Sequence, residues 1–143
     1  MRRLLAAARR GDAFAQHQLG AIYATGDFGT EVDLKKAVSF YKLAASAGDA
    51  DSLYDLGIMY MRGEGMRKNK QKGFRMLLKA ARMGLSDAQT LLGMIYETGH
   101  FGFRRNQSAA RRWYRMAAKK NNILARSYLR RMNRRKRGQI RTD

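Results

Sequence analysis

The stretch LGAIYATGDFG, Leu19–Gly29, returns as LGIMYMRGEG at Leu56–Gly65 and as LGMIYETGHFG at Leu92–Gly102. Leu-Gly-x-x-Tyr thus begins at 19, 56 and 92, a step of 37 and then 36 residues. The same step carries the pairs Ala7-Ala8, Ala44-Ala45, Ala80-Ala81 and Ala117-Ala118, followed by Gly11, Gly48, Gly84 and then Asn121. A self-similarity of this length marks a chain built from stacked supersecondary units, because one unit alone leaves an apolar face in water.

Within a unit the apolar residues fall at helical spacing. Ala15, Leu19, Ile22 and Tyr23 share one face in the first half, and Ala37, Phe40, Tyr41, Ala44 and Ala45 share one in the second. The glycines Gly26/Gly29, Gly63/Gly65 and Gly99/Gly102 separate the halves, and Gly48 and Gly84 stop the second helix. No stretch alternates with period two, and the chain has no proline. The pattern predicts an all-α chain of antiparallel helix pairs, an α-solenoid. The pairs are about 13–25 with 33–46, 50–62 with 70–82, and 86–98 with 106–119. A capping helix over about 122–136 packs Ile123, Leu124, Tyr128 and Leu129 onto the last pair, and residues 137–143 form a basic tail. Leu4 to Arg10 reads as the end of a preceding helix. Residues 1–136 are expected to form one repeat domain.

An interior helical glycine costs roughly 1 kcal/mol relative to alanine. Gly20, Gly57 and Gly93 accept that cost at one register, so close approach of a partner helix must offset it. The expected neighbours are Tyr41, Leu78 and Tyr114. Asp33 supplies a cap after the first turn, and this register puts Lys70 and Gln107 at the same point in the later units.

Asp27-Phe28-Gly29 spells the magnesium motif of protein kinases. That chemistry also needs a phosphate-covering glycine loop, a strand-borne lysine and a catalytic-loop aspartate. None of these is in the sequence, and unit three reads His100-Phe101-Gly102 instead. The tripeptide is therefore a turn, with Phe28 expected to be buried over the neighbouring helix ends. Asp49, Asp51 and Asp55 gather at a helix start, where carboxylates offset the helix dipole. There is no cysteine, and the two histidines, His17 and His100, stand in no metal-ligand spacing. Met76, Met83 and Met116 fall in the apolar register as core filler. The expectation is a protein that is not an enzyme, with no cofactor, no metal and no small-molecule substrate.

Ala44, Ala45 and Gly48, then Ala15, Leu19, Gly20, Tyr23 and Gly26, then Lys36, Ala37, Phe40 and Tyr41, form a pattern that resembles the Sel1-like repeat, a relative of the tetratricopeptide repeat. The resemblance covers roughly residues 4–130. It implies about three repeats and a protein-interaction scaffold whose first helices line a concave groove. The positions carried over are His17, Ala21 and Ala24 in unit one, Tyr54, Ile58 and Met61 in unit two, and Thr90, Met94 and Glu97 in unit three. Among them Tyr54, Ile58, Met61 and Met94 would form an apolar strip for a partner's peptide or helix.

Charge marks a second surface. Of 30 Lys+Arg against 11 Asp+Glu, fifteen cations and one acid lie in residues 104–143. They include Arg104, Arg105, Arg111, Arg112, Arg115, Lys119, Lys120, Arg126, Arg130, Arg131, Arg134, Arg135, Lys136, Arg137 and Arg141. Arginine dominates, which favours bidentate contact with carboxylate or phosphate. An acidic surface on another protein is the expected partner. RNA or DNA phosphates held by shape and charge are the alternative, and an anionic membrane surface would also satisfy the charge. No apolar run approaches the roughly 18 residues that span a bilayer. The N-terminus lacks the apolar core of about 7–15 residues of a signal peptide, so a cytoplasmic location is expected if Met1 is the natural start.

Overall fold

The computed structural model describes the backbone of residues 1–142 and the side chains of residues 1–139. Eight α-helices account for most of it: α1 (Arg2–Arg9), α2 (Ala13–Thr25), α3 (Leu34–Ser46), α4 (Ala50–Arg62), α5 (Lys70–Arg82), α6 (Ser86–Thr98), α7 (Gln107–Lys119) and α8 (Ile123–Thr142). No strand occurs among the described residues. Helix bounds fall within a residue of the sequence pattern except at the two ends, where α1 starts at Arg2 and not Leu4, and α8 runs past 136 through most of the expected tail. The side chain of Arg141 lies outside the described residues.

The chain gathers into two compact units, Met1–Ala80 and the residues from Ala81 onward. In the first, α1 packs on α2, α2 on α3 and α3 on α4. Ala8, Ala15 and Leu19 form one buried cluster. A second joins Ala37, Val38 and Tyr41 to Leu56, Met59 and Tyr60. The second unit packs α6 on α7 and α7 on α8. Its core holds Ala110, Tyr114, Ala117, Ala125 and Met132. Burying a large apolar side chain contributes roughly 1.5–3 kcal/mol, so these small clusters hold each unit together.

Each helix pair closes with one repeated bond. The backbone N–H of Asp33, Asn69 and Asn106 donates to the carbonyl of Tyr23, Tyr60 and Tyr96 respectively, each at 2.8 Å. The same three residues then cap the next helix: Asp33 accepts from the Lys36 N–H at 3.0 Å, Asn69 from Lys72 and Asn106 from Ala109, also at 3.0 Å. The later caps are therefore Asn69 and Asn106, not Lys70 and Gln107 as the sequence register had them. Other ends are closed by side chains from the following helix. Gln16 donates to the carbonyl of Ala8, and Gln89 to that of Ala81, both at 3.1 Å. At the end of α7, Asn121 takes the left-handed conformation (φ 64°) that glycine takes after α1, α3 and α5.

The mid-helix glycines sit where helices touch. A Cβ on Gly20 would lie 2.6 Å from the Tyr41 ring, and one on Gly93 would clash with the Tyr114 ring. At Gly57 the neighbour is backbone: the carbonyl of Gly73 at 2.9 Å and the N–H of Leu77 at 3.3 Å. The expected Leu78 is not the contact. The turn between α4 and α5 is one residue shorter than its counterparts, which shifts α5 so that Leu77, fully buried, stands where Tyr41 and Tyr114 stand. Gly73 then occupies the place of Ala37 and Ala110, and α4 and α5 meet glycine to glycine.

Five residues expected to be buried are exposed instead. Phe28, left-handed (φ 55°) in the turn between α2 and α3, is 87% exposed. Its counterpart Phe101 is half-buried with its ring 4.2 Å from that of His100. Met83 and Met116 are exposed, and only Met76 packs against a core cluster. Ile123 and Leu124 are exposed, since α8 docks through Ala125, Tyr128, Leu129 and Met132, a stripe at helical spacing that leaves its first two residues outside. Asp55 is one turn past the helix start and pairs elsewhere.

Candidate functional site

In the first unit, α2 and α4 bring His17 to Asp55. The imidazole Nε2 lies 2.9 Å from the carboxylate, with the ring tilted against Tyr41 at 5.5 Å. This hydrogen bond, helped by the charges of Asp55, Asp49 and Asp51, raises the His17 pKa above its ordinary value despite partial burial. Asp55 also lines a hollow of about 250 Å3 with Ala24, Leu34, Tyr41, Ile58 and Met59, closed at its edge by the pair Arg62 and Glu64. Two of the expected groove residues, Ala24 and Ile58, therefore share one concavity. Tyr54 and Ala21 are half-buried. Met61 is not available to a partner: it is fully buried, with its Cγ against Gly73.

The same unit carries a basic patch that the count of the C-terminal cations passed over. The run Arg67, Lys68, Lys70, Lys72 was its signal in the sequence. Arg67, Lys68, Asn69 and Lys72 border a hollow of about 520 Å3 over Tyr60, whose ring carries the Lys72 ammonium at 4.7 Å and that of Lys42 at 5.9 Å. Burial pushes the Tyr60 phenol up, but the two ammonium groups outweigh it and the net shift is downward.

In the second unit, two expected groove residues are core. Thr90 is buried and its hydroxyl donates to the Ser86 carbonyl at 2.9 Å. Glu97 is buried, and its Oε1 accepts from the Tyr114 hydroxyl at 2.9 Å and from Arg131 at 2.5 Å. Burial first, and then the bond to Glu97, raises the Tyr114 pKa. The repeat resemblance assigned Glu97 to a partner-facing groove; the fold gives it to α8 instead. Met94 is half-buried against the core.

The C-terminal cations divide by use. Lys120 donates to the Gly84 carbonyl, Arg105 to Thr98 at 3.2 Å, and Arg126 to the Ala118 carbonyl at 3.3 Å and to Asn121 at 2.5 Å. Arg131 holds Glu97. Arg104, Arg112, Arg115 and Lys119 are exposed. On α8, Arg130, Arg134 and Arg137 border one hollow with Asn133, and Arg135 and Lys136 face another together with Arg111 of α7. Among the described residues, no three His, Cys, Asp or Glu side chains come together as metal ligands. None of their helices is long and apolar enough to cross a membrane.

A family model of the Sel1 repeat matches residues 13–49, 50–85 and 86–122. Among solved structures, the Sel1 repeat protein from Oxalobacter formigenes superposes with a TM-score of 0.76 at 34% identity, covering 90% of this chain and 95% of that one. A protective antigen of uropathogenic Escherichia coli displaying an SLR fold gives 0.77 at 33% identity, over 85% of this chain and 26% of its own. The all-α arrangement is thus that of the Sel1 repeat solenoids. Among relatives, the chitin synthase regulator SKT5 of Saccharomyces cerevisiae is 36% identical over 70% of this chain, and the DAP3-binding cell death enhancer 1 of Rattus norvegicus is 36% identical over 63%. The chain spans only 14% and 17% of the lengths of those two relatives.

Proposed function

The chain belongs to the Sel1 repeat family, and from that premise we propose that it is a non-catalytic scaffold that binds another protein. The carrying observation is the match of three consecutive Sel1 repeats, in a family whose relatives here are named as a regulator and as a binding protein. In the first unit, the hollow that holds Ala24 and Ile58 beside the His17–Asp55 pair offers an apolar seat with a polar edge. That combination suits an apolar side chain of a partner with a hydrogen-bonding neighbour. In the second unit, Arg105, Arg111 and Arg135 beside the hollows of α7 and α8 offer charge complementarity to an acidic partner.

The test is affinity capture with the wild-type chain and with Ile58→Asp, after circular dichroism shows that both are equally helical. Loss of specific partners from the variant is the expected result. An unchanged partner set removes the hollow from the reading. A second reading rests on the one-sided charge of residues 104–143, which would also hold nucleic-acid phosphates. It predicts an RNA mobility shift that weakens steeply with salt and disappears on truncation after Asn121.

A further inference from the structure

Between α6, α7 and α8 of the second unit, two adjoining hollows of about 230 and 310 Å3 share Glu97, Gln107 and Arg135. Arg111 and Lys136 border the first, Arg105 and Arg131 the second. The floor is pinned: Gln107 donates to the Glu97 carbonyl at 3.1 Å, while the Glu97 carboxylate is occupied by Tyr114 and Arg131. Five cations thus surround a single carboxylate. Among the described residues, Arg105, Arg111, Arg135 and Lys136 take part in no ion pair. The Nε of Arg111 is buried without a hydrogen-bond partner. A buried guanidinium donor left unpaired is costly, and an oxyanion entering the cleft removes that cost.

We propose that this cleft binds side-chain carboxylates of an acidic segment on a partner protein, a site that rests on the scaffold reading and locates its charged half. The existing Glu97–Arg131 pair favours a carboxylate. Glu97 at the floor repels a phosphomonoester dianion about twice as strongly as a carboxylate. A nucleic-acid phosphodiester, a monoanion like the carboxylate, is separated from it by the RNA arm of the test. Glu97 itself also demonstrates the recognition chemistry, a carboxylate taken by an arginine and a hydroxyl. Gln107 and Arg111 on α7, and Arg131 and Arg135 on α8, are each four residues apart, so two helix faces converge on the same anion.

Fluorescence anisotropy with a labelled peptide of alternating glutamate and serine tests the site at low salt. Three double variants of equal charge change are compared: Arg111→Gln/Arg135→Gln, Arg135→Gln/Lys136→Gln, and Arg112→Gln/Arg115→Gln. The last pair is exposed on α7 and borders neither hollow. Arg135 and Lys136 are exposed, so the second variant keeps the test open even if loss of Arg111 disturbs folding. Each cleft variant is expected to weaken binding by at least about tenfold, and the control pair by no more than about twofold. Equal losses from all three overturn the cleft but leave a scaffold that attracts acidic partners diffusely. No binding by the wild type overturns the cleft and the acidic partner together, leaving the hollow around Ile58 as the scaffold's test. A labelled uridine RNA that binds where the peptide does not overturns the carboxylate assignment.

Discussion

Gly73 carries more of the packing than its place in the repeat suggests. Alanine there gains about 1 kcal/mol of helix propensity. Its Cβ would, however, meet the Gly57 carbonyl, the Met61 Cγ at 2.6 Å and the Met61 N–H at 3.0 Å. Backbone cannot swing aside, and overpacking costs about 1–3 kcal/mol. Gly73→Ala is therefore expected to destabilise by up to about 2 kcal/mol in denaturant melts. Gly138→Ala, whose Cβ meets nothing within 4 Å, should have the opposite sign. His17 adds a pH dependence. Its folded pKa is raised, chiefly by the bond to Asp55, so the stabilisation is fully present below about pH 6.5 and is lost as pH rises through the raised value. Both side chains are partly exposed, so the effect stays below about 1 kcal/mol. Wild type should exceed Asp55→Asn in stability at pH 5.5, and the gap should narrow by pH 8.5. At this scale the sequence was partly legible. Gly20 and Gly93 announced their tyrosine neighbours, while Asp55 and His17, 38 residues apart, carried no local sign of their pairing.

Among the elements, α2 to α7 were legible because each ends at a left-handed residue and all but α6 begin at a side-chain cap, signals that act within one turn. The register of α5 was not. A turn shortened by one residue moves every following side chain by about 100° around the helix, which is why Leu77 and Asn69, not Leu78 and Lys70, do the work of Tyr41 and Asp33. The docking of α8 was legible through Tyr128 and Leu129, but its ionic anchor was not. Its apolar contacts are few, and Arg131 and Glu97, which read as surface charges, supply an anchor. Removing the charge by Glu97→Gln leaves Arg131 without its carboxylate. Because Arg131 is partly exposed, the expected cost is about 1–2 kcal/mol, below that of a fully buried pair. Amide hydrogen exchange should then quicken by about tenfold in α8 and much less in α6 and α7.

Charge acts on the whole molecule. A formal +19 on 143 residues opposes compaction by self-repulsion. Salt screens that repulsion over a Debye length of about 8–10 Å. The thermal midpoint is therefore expected to rise by about 3 °C as ionic strength increases from low to near-physiological values, a gain of about 1 kcal/mol. A midpoint that falls with salt would mean that ion pairs, not repulsion, dominate. The cations were countable in the sequence, but their division was not. Lys120, Arg126 and Arg131 are spent on carbonyls and carboxylates within the fold, whereas Arg111, Arg135 and Lys136 converge on an open cleft. Spacing around two different helices decides which is which, and only packing sets that.

The outward ring of Phe28 gives the chain a practical property. With no cysteine anywhere, Phe28→Cys creates a single thiol standing in solvent, at a backbone position already left-handed with a side chain. A dye, a spin label or a photocrosslinker attached there would sit clear of the helix faces on either side of the turn. The tripeptide that spells a kinase motif is thereby a ready attachment point for trapping whatever the scaffold holds.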